Sequence, residues 1–258
     1  MNQFFNLSRF GRLFSKHTAE HLRTYLMSTV VLLGGTGLVL GYAAYLNPGP
    51  FSPRIQAVVF ILGLLSSGIF FTSTVLAAFG NQRQATAALM LPASHWEKYL
   101  VGWLFALPIF LLVYVGCFYL MDSVVLQLDD WAGARPDFVP LFSDQEKLPT
   151  VLGAYAMLSA LFMWGSIYFR KQQFIRTAFV LMLGLVVLVA CNLQLVRGLV
   201  GPQVGSALPF SRVMLHEGNA RHTLELGPTP GKWFGLVPVG LLLLGWAGAY
   251  ARLTEKQI

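Results

Sequence analysis

Six long apolar runs limit what this chain can fold into more than any other feature. They are Tyr25–Leu46, Ile55–Phe79, Tyr99–Met121, Thr150–Phe169, Thr177–Val200 and Trp233–Ala251. Crossing a bilayer as an α-helix takes about 20 predominantly apolar residues, and these runs meet that requirement. Only 11% of the 258 residues are charged and 55% are hydrophobic. A soluble domain carries about 25% charged residues. Short alternating segments of about ten residues, the mark of a membrane β-barrel, are absent. The expectation is an all-α polytopic membrane protein, with one membrane domain over residues 1–258. The first run is too long for a signal-peptide core and starts after a mixed segment, so it reads as an uncleaved signal anchor. Cys117 and Cys191 both fall inside apolar runs and read as small packing residues.

Charge sets the expected orientation. The formal charge of +7 says little about nucleic acid, because most basic residues sit at the ends of apolar runs. Eleven Lys and Arg fall in the N-terminal segment, the loops after runs two and four, and the C-terminal tail. Six fall in the alternate loops, and Arg197 lies inside run five. The acidic residues are biased the other way: eight in those alternate loops, Asp122 among them, against Glu20, Glu97 and Glu255. Basic loops stay in the cytoplasm, which places both termini there. The two loops expected outside, 122–149 and 201–232, are long. The second carries Pro202, Pro209, Pro228 and Pro230, so it is not one regular helix.

Two segments on the cytoplasmic side carry structure of their own. At 100° per residue over residues 4–23, Arg9, Arg12, Lys16 and Arg23 share a face with Glu20. Phe4, Leu7, Phe10, Phe14 and Leu22 fall opposite. That pattern predicts an amphipathic helix lying in the membrane interface, its apolar face on lipid and its basic face on anionic headgroups. His17 and His21 have a four-residue spacing, but no carboxylate or third ligand accompanies them as a metal site would need.

The second segment is Gly80 to Leu100. Asn81 can cap a short helix through Arg83, Gln84, Ala87 and Ala88 to Leu91, and Pro92 ends it. Ser94 with Glu97 three residues on is a capping box that starts a second helix leading into run three. A short helix parked between two spans is a docking knob for a partner protein, or a solvated hairpin with ordinary caps.

Chemistry inside the membrane needs ionisable groups at depth, and they are scarce. Asn192, Gln194 and Arg197 form a polar cluster in run five and are candidates for a substrate path. Arg197 would snorkel to the surface, and the two amides would bond a neighbouring helix. No His-Glu-x-x-His occurs, nor a pair of intramembrane carboxylates. The nearest approach to a P-loop, Gly227 to Trp233, is one residue short and has Trp where Ser or Thr must hold magnesium. The chain therefore reads as no enzyme, with no cofactor of its own. Small-residue pairs such as Gly37 with Gly41, Gly63 with Ser67 and Gly245 with Ala249 permit close helix packing, within the chain or at a dimer seam.

Over nearly its whole length this pattern resembles the membrane subunit of ABC exporters of the type-2 class. Two strings are similar to a bacterial subgroup: Leu91-Pro92-Ala93-Ser94 with Glu97-Lys98-Tyr99-Leu100, and Gly165 to Lys171 with Phe174-Ile175-Arg176-Thr177. The resemblance implies that Asn81–Leu91 is a coupling helix seated on a separate ABC ATP-binding subunit, which would hold the ATP and magnesium. It implies a second permease subunit, as a homodimer or heterodimer, and residence in the bacterial plasma membrane. The substrate stays open. The competing expectation is a non-transporting integral membrane scaffold or assembly factor that uses the same surface loop.

Overall fold

The computed structural model describes residues 5–46, 51–76, 93–128, 148–169, 171–201, 204–207, 213–217, 220–224 and 236–255. Its helices are α1 (Leu7–Leu46), α2 (Pro53–Val75), α3 (His95–Leu104), α4 (Phe110–Leu128), α5 (Leu148–Tyr168), α6 (Gln173–Val200) and α7 (Leu236–Glu255). A π-helical turn, Phe105–Ile109, joins α3 to α4, so the three make one continuous span. Among the described residues, six helices are long and apolar enough to cross a membrane, which makes this a multi-pass membrane protein. The membrane part is all-helical.

The six spans match the six apolar runs closely, with one difference at the first. The N-terminal segment and run one were expected as separate helices, but α1 is unbroken over 40 residues. Charge does not stop a helix. Proline, a glycine pair or a competing cap does, and none lies between Arg12 and Leu33. At 1.5 Å per residue α1 is about 60 Å long, twice the hydrocarbon thickness of about 30 Å.

The spans alternate in direction. The base of the bundle is where α1 and α3 start and where α5 and α7 stop. There Trp96 stacks on Tyr250 at 4.5 Å between centroids, and Arg252 lies 5.3 Å over the ring of Tyr168. The opposite end carries three short strands, β1 (Val204–Ala207), β2 (Val213–Glu217) and β3 (Ala220–Leu224), in an antiparallel sheet of order β1-β2-β3. The segment was expected only to avoid one regular helix, and short strands between its prolines satisfy that.

The centre is built from close approaches. A Cβ on Gly63 would overlap the Tyr114 hydroxyl, and one on Gly165 would overlap Thr177. One on Gly245 would sit 3.1 Å from the Ala160 Cβ. These glycines let α2 meet α4, α5 meet α6, and α7 meet α5 along their backbones. Tyrosine hydroxyls then bond backbone carbonyls across the helices: Tyr114 donates to Phe60 at 2.8 Å, and Tyr155 donates to Ala106 at 2.5 Å. Ala106 lies in the π turn, where Pro108 removes a backbone donor, so Tyr155 serves a stretch with disturbed helical pairing. Phe60, Phe110, Tyr114, Phe118 and Tyr155 form the buried aromatic core.

Candidate functional site: the junction at the base

Ser94 is the N-cap of α3, and the expected capping box is present. The Glu97 backbone N–H donates to Ser94 Oγ at 3.2 Å, and the Ser94 N–H donates to Glu97 Oε2 at 2.9 Å. The local reason is the one read in the sequence: an extended Ser followed by Glu at the third helical position satisfies two N–H groups that the helix start leaves over.

The second oxygen of Glu97 does something the local pattern does not contain. Glu97 Oε1 accepts from the Asn6 backbone N–H at 2.9 Å and from Arg9 Nη2 at 3.2 Å. Asn6 precedes α1 and caps it: its Oδ1 accepts from the Ser8 N–H at 3.0 Å, and its carbonyl accepts from Phe10. One carboxylate thus closes the N-termini of two helices. Each terminus presents roughly half a positive charge, so both helix dipoles and the Arg9 guanidinium favour the ionised acid. Glu97 is fully buried, with 0% of its side chain exposed, against 31% for Arg9.

Aromatic packing extends the junction upward. Phe14 stacks on Phe105 of the π turn at 5.1 Å, and Tyr25 stacks on the same ring at 5.3 Å. His17 packs on it at 4.7 Å and pairs through Nε2 with the Tyr25 hydroxyl at 2.8 Å. His21 places Nδ1 3.1 Å from the His17 carbonyl. Those contacts occupy both histidines, and no group of three His, Cys, Asp or Glu that could hold a metal occurs among the described residues. Tyr99 donates its hydroxyl to the Trp246 carbonyl at 3.1 Å and ties α3 to α7.

The residues singled out in the sequence are distributed as follows. Arg9, Ser94 and Glu97 are brought together, and Phe10 and Phe14 pack with Leu13 and Tyr25 against the cluster around Phe105. Arg12 is exposed, and Lys16 pairs with Glu20 at 3.6 Å, one helical turn on. Asn81, Arg83, Gln84, Ala87, Ala88 and Leu91 lie outside the described residues. On α6, Asn192 is half-buried while Gln194 and Arg197 are exposed. At 100° per residue Asn192 points well away from the other two, so the three do not converge on one face.

Sequence reasoning missed two features. The Asn6 cap is a standard signal, Asn ahead of an amphipathic pattern, but its link to Glu97 spans 91 positions. Asp122 was placed with the solvent-facing acids. It lies within α4 and is fully buried. Comparisons with protein-family models, with curated proteins and with solved structures find no match to this chain.

Proposed function

We propose that this chain is the membrane-spanning permease subunit of an ATP-driven ABC exporter, with the base of the bundle in the cytoplasm of a bacterial cell. The observation that supports this reading is the double N-cap at Glu97. It joins the start of α1 to the start of α3, immediately after the segment that holds Asn81–Leu91. A partner gripping that segment would move both helices together, and α1 continues from there into the bilayer. The basic bias of the same side supports the orientation. ATP and magnesium belong to a separate ATP-binding subunit, and two permease chains pair, alike or different. Closure of the ATPases pushes on Asn81–Leu91 and tilts the spans between inward and outward access.

The test is replacement of Ala87 and Ala88 by Trp. These small residues allow close seating, and two indoles block it. The variant should insert at normal levels, lose the co-purifying ATPase and abolish coupled ATP turnover. Unchanged partner binding and turnover would remove Asn81–Leu91 as the coupling element and favour a scaffold.

A further inference from the structure

Glu97 is buried with its hydrogen bonds made; Asp122 is buried with none among the described residues. Its residue exposure is 0%, and neither carboxyl oxygen has a hydrogen-bond partner among the described residues. It sits on the seam of α4 that also carries Tyr114, Phe118 and Leu126, all buried. The neighbours follow from register. Phe71 meets Phe110, a Cβ on Gly63 would meet Tyr114, and Phe60 meets Phe118, so α2 and α4 run antiparallel. One turn beyond Phe60 is Gln56, and one turn beyond Phe118 is Asp122, at the same level. A Cβ on Gly37 of α1 would meet Met121, and buried Leu40 is one turn further along.

Charged and titratable groups facing this position are few. From α1 the nearest in sequence are Tyr42 and Tyr45, both exposed. From α2 there is Arg54, also exposed, while Gln56 uses its amide nitrogen on the Phe51 carbonyl at 3.2 Å. From α5 there is Tyr155, whose hydroxyl is on Ala106. On α4 itself the nearest are buried Cys117, Tyr119, and Tyr114, whose hydroxyl is on Phe60. Residues 47–50 hold no titratable side chain. Residues 129–147 hold Asp129, Asp130, Arg135, Asp137, Asp144, Glu146 and Lys147 and lie outside the described residues. A lone carboxyl does not make a metal site, which needs several ligands. An ionised carboxylate removed from water without a partner is too costly to keep its charge, and it takes a proton instead.

We propose that Asp122 is a proton-binding site in the membrane domain, occupied while the sheet ends of α1, α2 and α4 are packed together. Opening that end to water lets the carboxyl release its proton: the O–H bond breaks and water accepts the proton. Repacking reverses the step. Packing at this end is thereby linked to the pH it opens onto, and lower pH holds it closed. This inference is independent of the transporter reading and needs no partner subunit.

The experiment is infrared spectroscopy of the full chain in lipid nanodiscs at about pH 5, where an exposed Asp is already ionised, comparing wild type with Asp122→Asn. Wild type should show the carbonyl stretch of an un-ionised carboxylic acid, and the variant should lack it. Thermal unfolding across pH gives a second readout. The packed form holds a proton that the unfolded Asp, titrating near about 3.9, has already lost. Wild-type stability should therefore fall as pH rises from about 4 until the buried carboxyl releases its proton, and the Asn variant should lack that part of the slope. If Asn disrupts insertion, the wild-type spectrum decides alone. Absence of any un-ionised carboxyl band in wild type overturns the proposal. So does a band, or a pH slope, that survives unchanged in a folded Asn variant.

Discussion

Span three carries a buried acid near each end, and the two are handled in opposite ways. At the base, Glu97 receives two backbone N–H groups and a guanidinium, one N–H and the guanidinium from a helix that starts about ninety residues earlier. At the sheet end, Asp122 receives nothing among the described residues. Burial alone therefore says little about what an acid does. A carboxylate surrounded by donors is a fastener, because removing it strands every donor it served. A carboxyl surrounded by apolar side chains is a cost that the fold carries, and its removal strands nothing. If both acids are structural in the same sense, their substitutions will look alike; the contrast requires that they do not.

The largest effect is expected for Glu97→Ala. It takes the shared acceptor from the Ser94 and Asn6 N–H groups and removes the carboxylate from Arg9, which stays partly exposed; the stranded N–H donors should together cost about 2 kcal/mol or more. Unfolding of the detergent-solubilised chain measures it. A loss well below about 1 kcal/mol, the value of one surface pair, would reduce Glu97 to an ordinary surface ion. Ser94→Ala should cost less, about 1 kcal/mol, because it removes one cap acceptor and leaves the carboxylate and its link to α1 in place. A cysteine pair at Asn6 and Glu97 is unsuited to this comparison, since it destroys the group in question; the stability difference between the two alanine variants isolates the link. The smallest effect belongs to Asp122→Leu. Replacing an unsatisfied buried polar group by an apolar one of similar size should change stability by no more than about 1 kcal/mol, in either direction. A loss as large as that of Glu97→Ala would show that Asp122 has a strong partner and would erase the contrast.

What the sequence disclosed and what it withheld follow one physical line. Helices long enough to cross a bilayer announce themselves because apolar length is a local property. The capping box did so for the same reason: Ser94 and Glu97 are three residues apart. The Asn6–Glu97 link depends on two helix starts meeting in space, which no local pattern encodes. The unbroken α1 was hidden by its own charge pattern. Four basic residues and Glu20 along residues 9–23 mark a change of surroundings, from bilayer to interface or water, and not a break in the backbone. Asp122 was misread because counting charges by side assigns every acid near the end of an apolar run to water. Continuation of α4 to Leu128 carries it inside instead. The candidates Asn192, Gln194 and Arg197 shared a short stretch but not a helical face, a distinction that spacing of two and three residues already contains.

The π turn between the two acids has a consequence best put in terms of phase. An α-helix advances its side chains by about 100° per residue, so a turn that holds one residue more than an α-turn offsets the two halves of the helix by about that angle. In a regular α-helix Phe105 and Phe110, five positions apart, would diverge by about 140°; the π turn narrows that angle, so Phe105 packs on Tyr25 of α1, Phe110 packs on Phe71 of α2, and Tyr25 and Phe71 touch each other. Closing the π turn into a regular α-turn would rotate α3 against α4 about the shared axis. Glu97 would swing away from Asn6 although no side chain of the junction had changed. The alignment of two helix starts at the base is thus a matter of rotational timing, and the clock is set eight residues away, at Phe105.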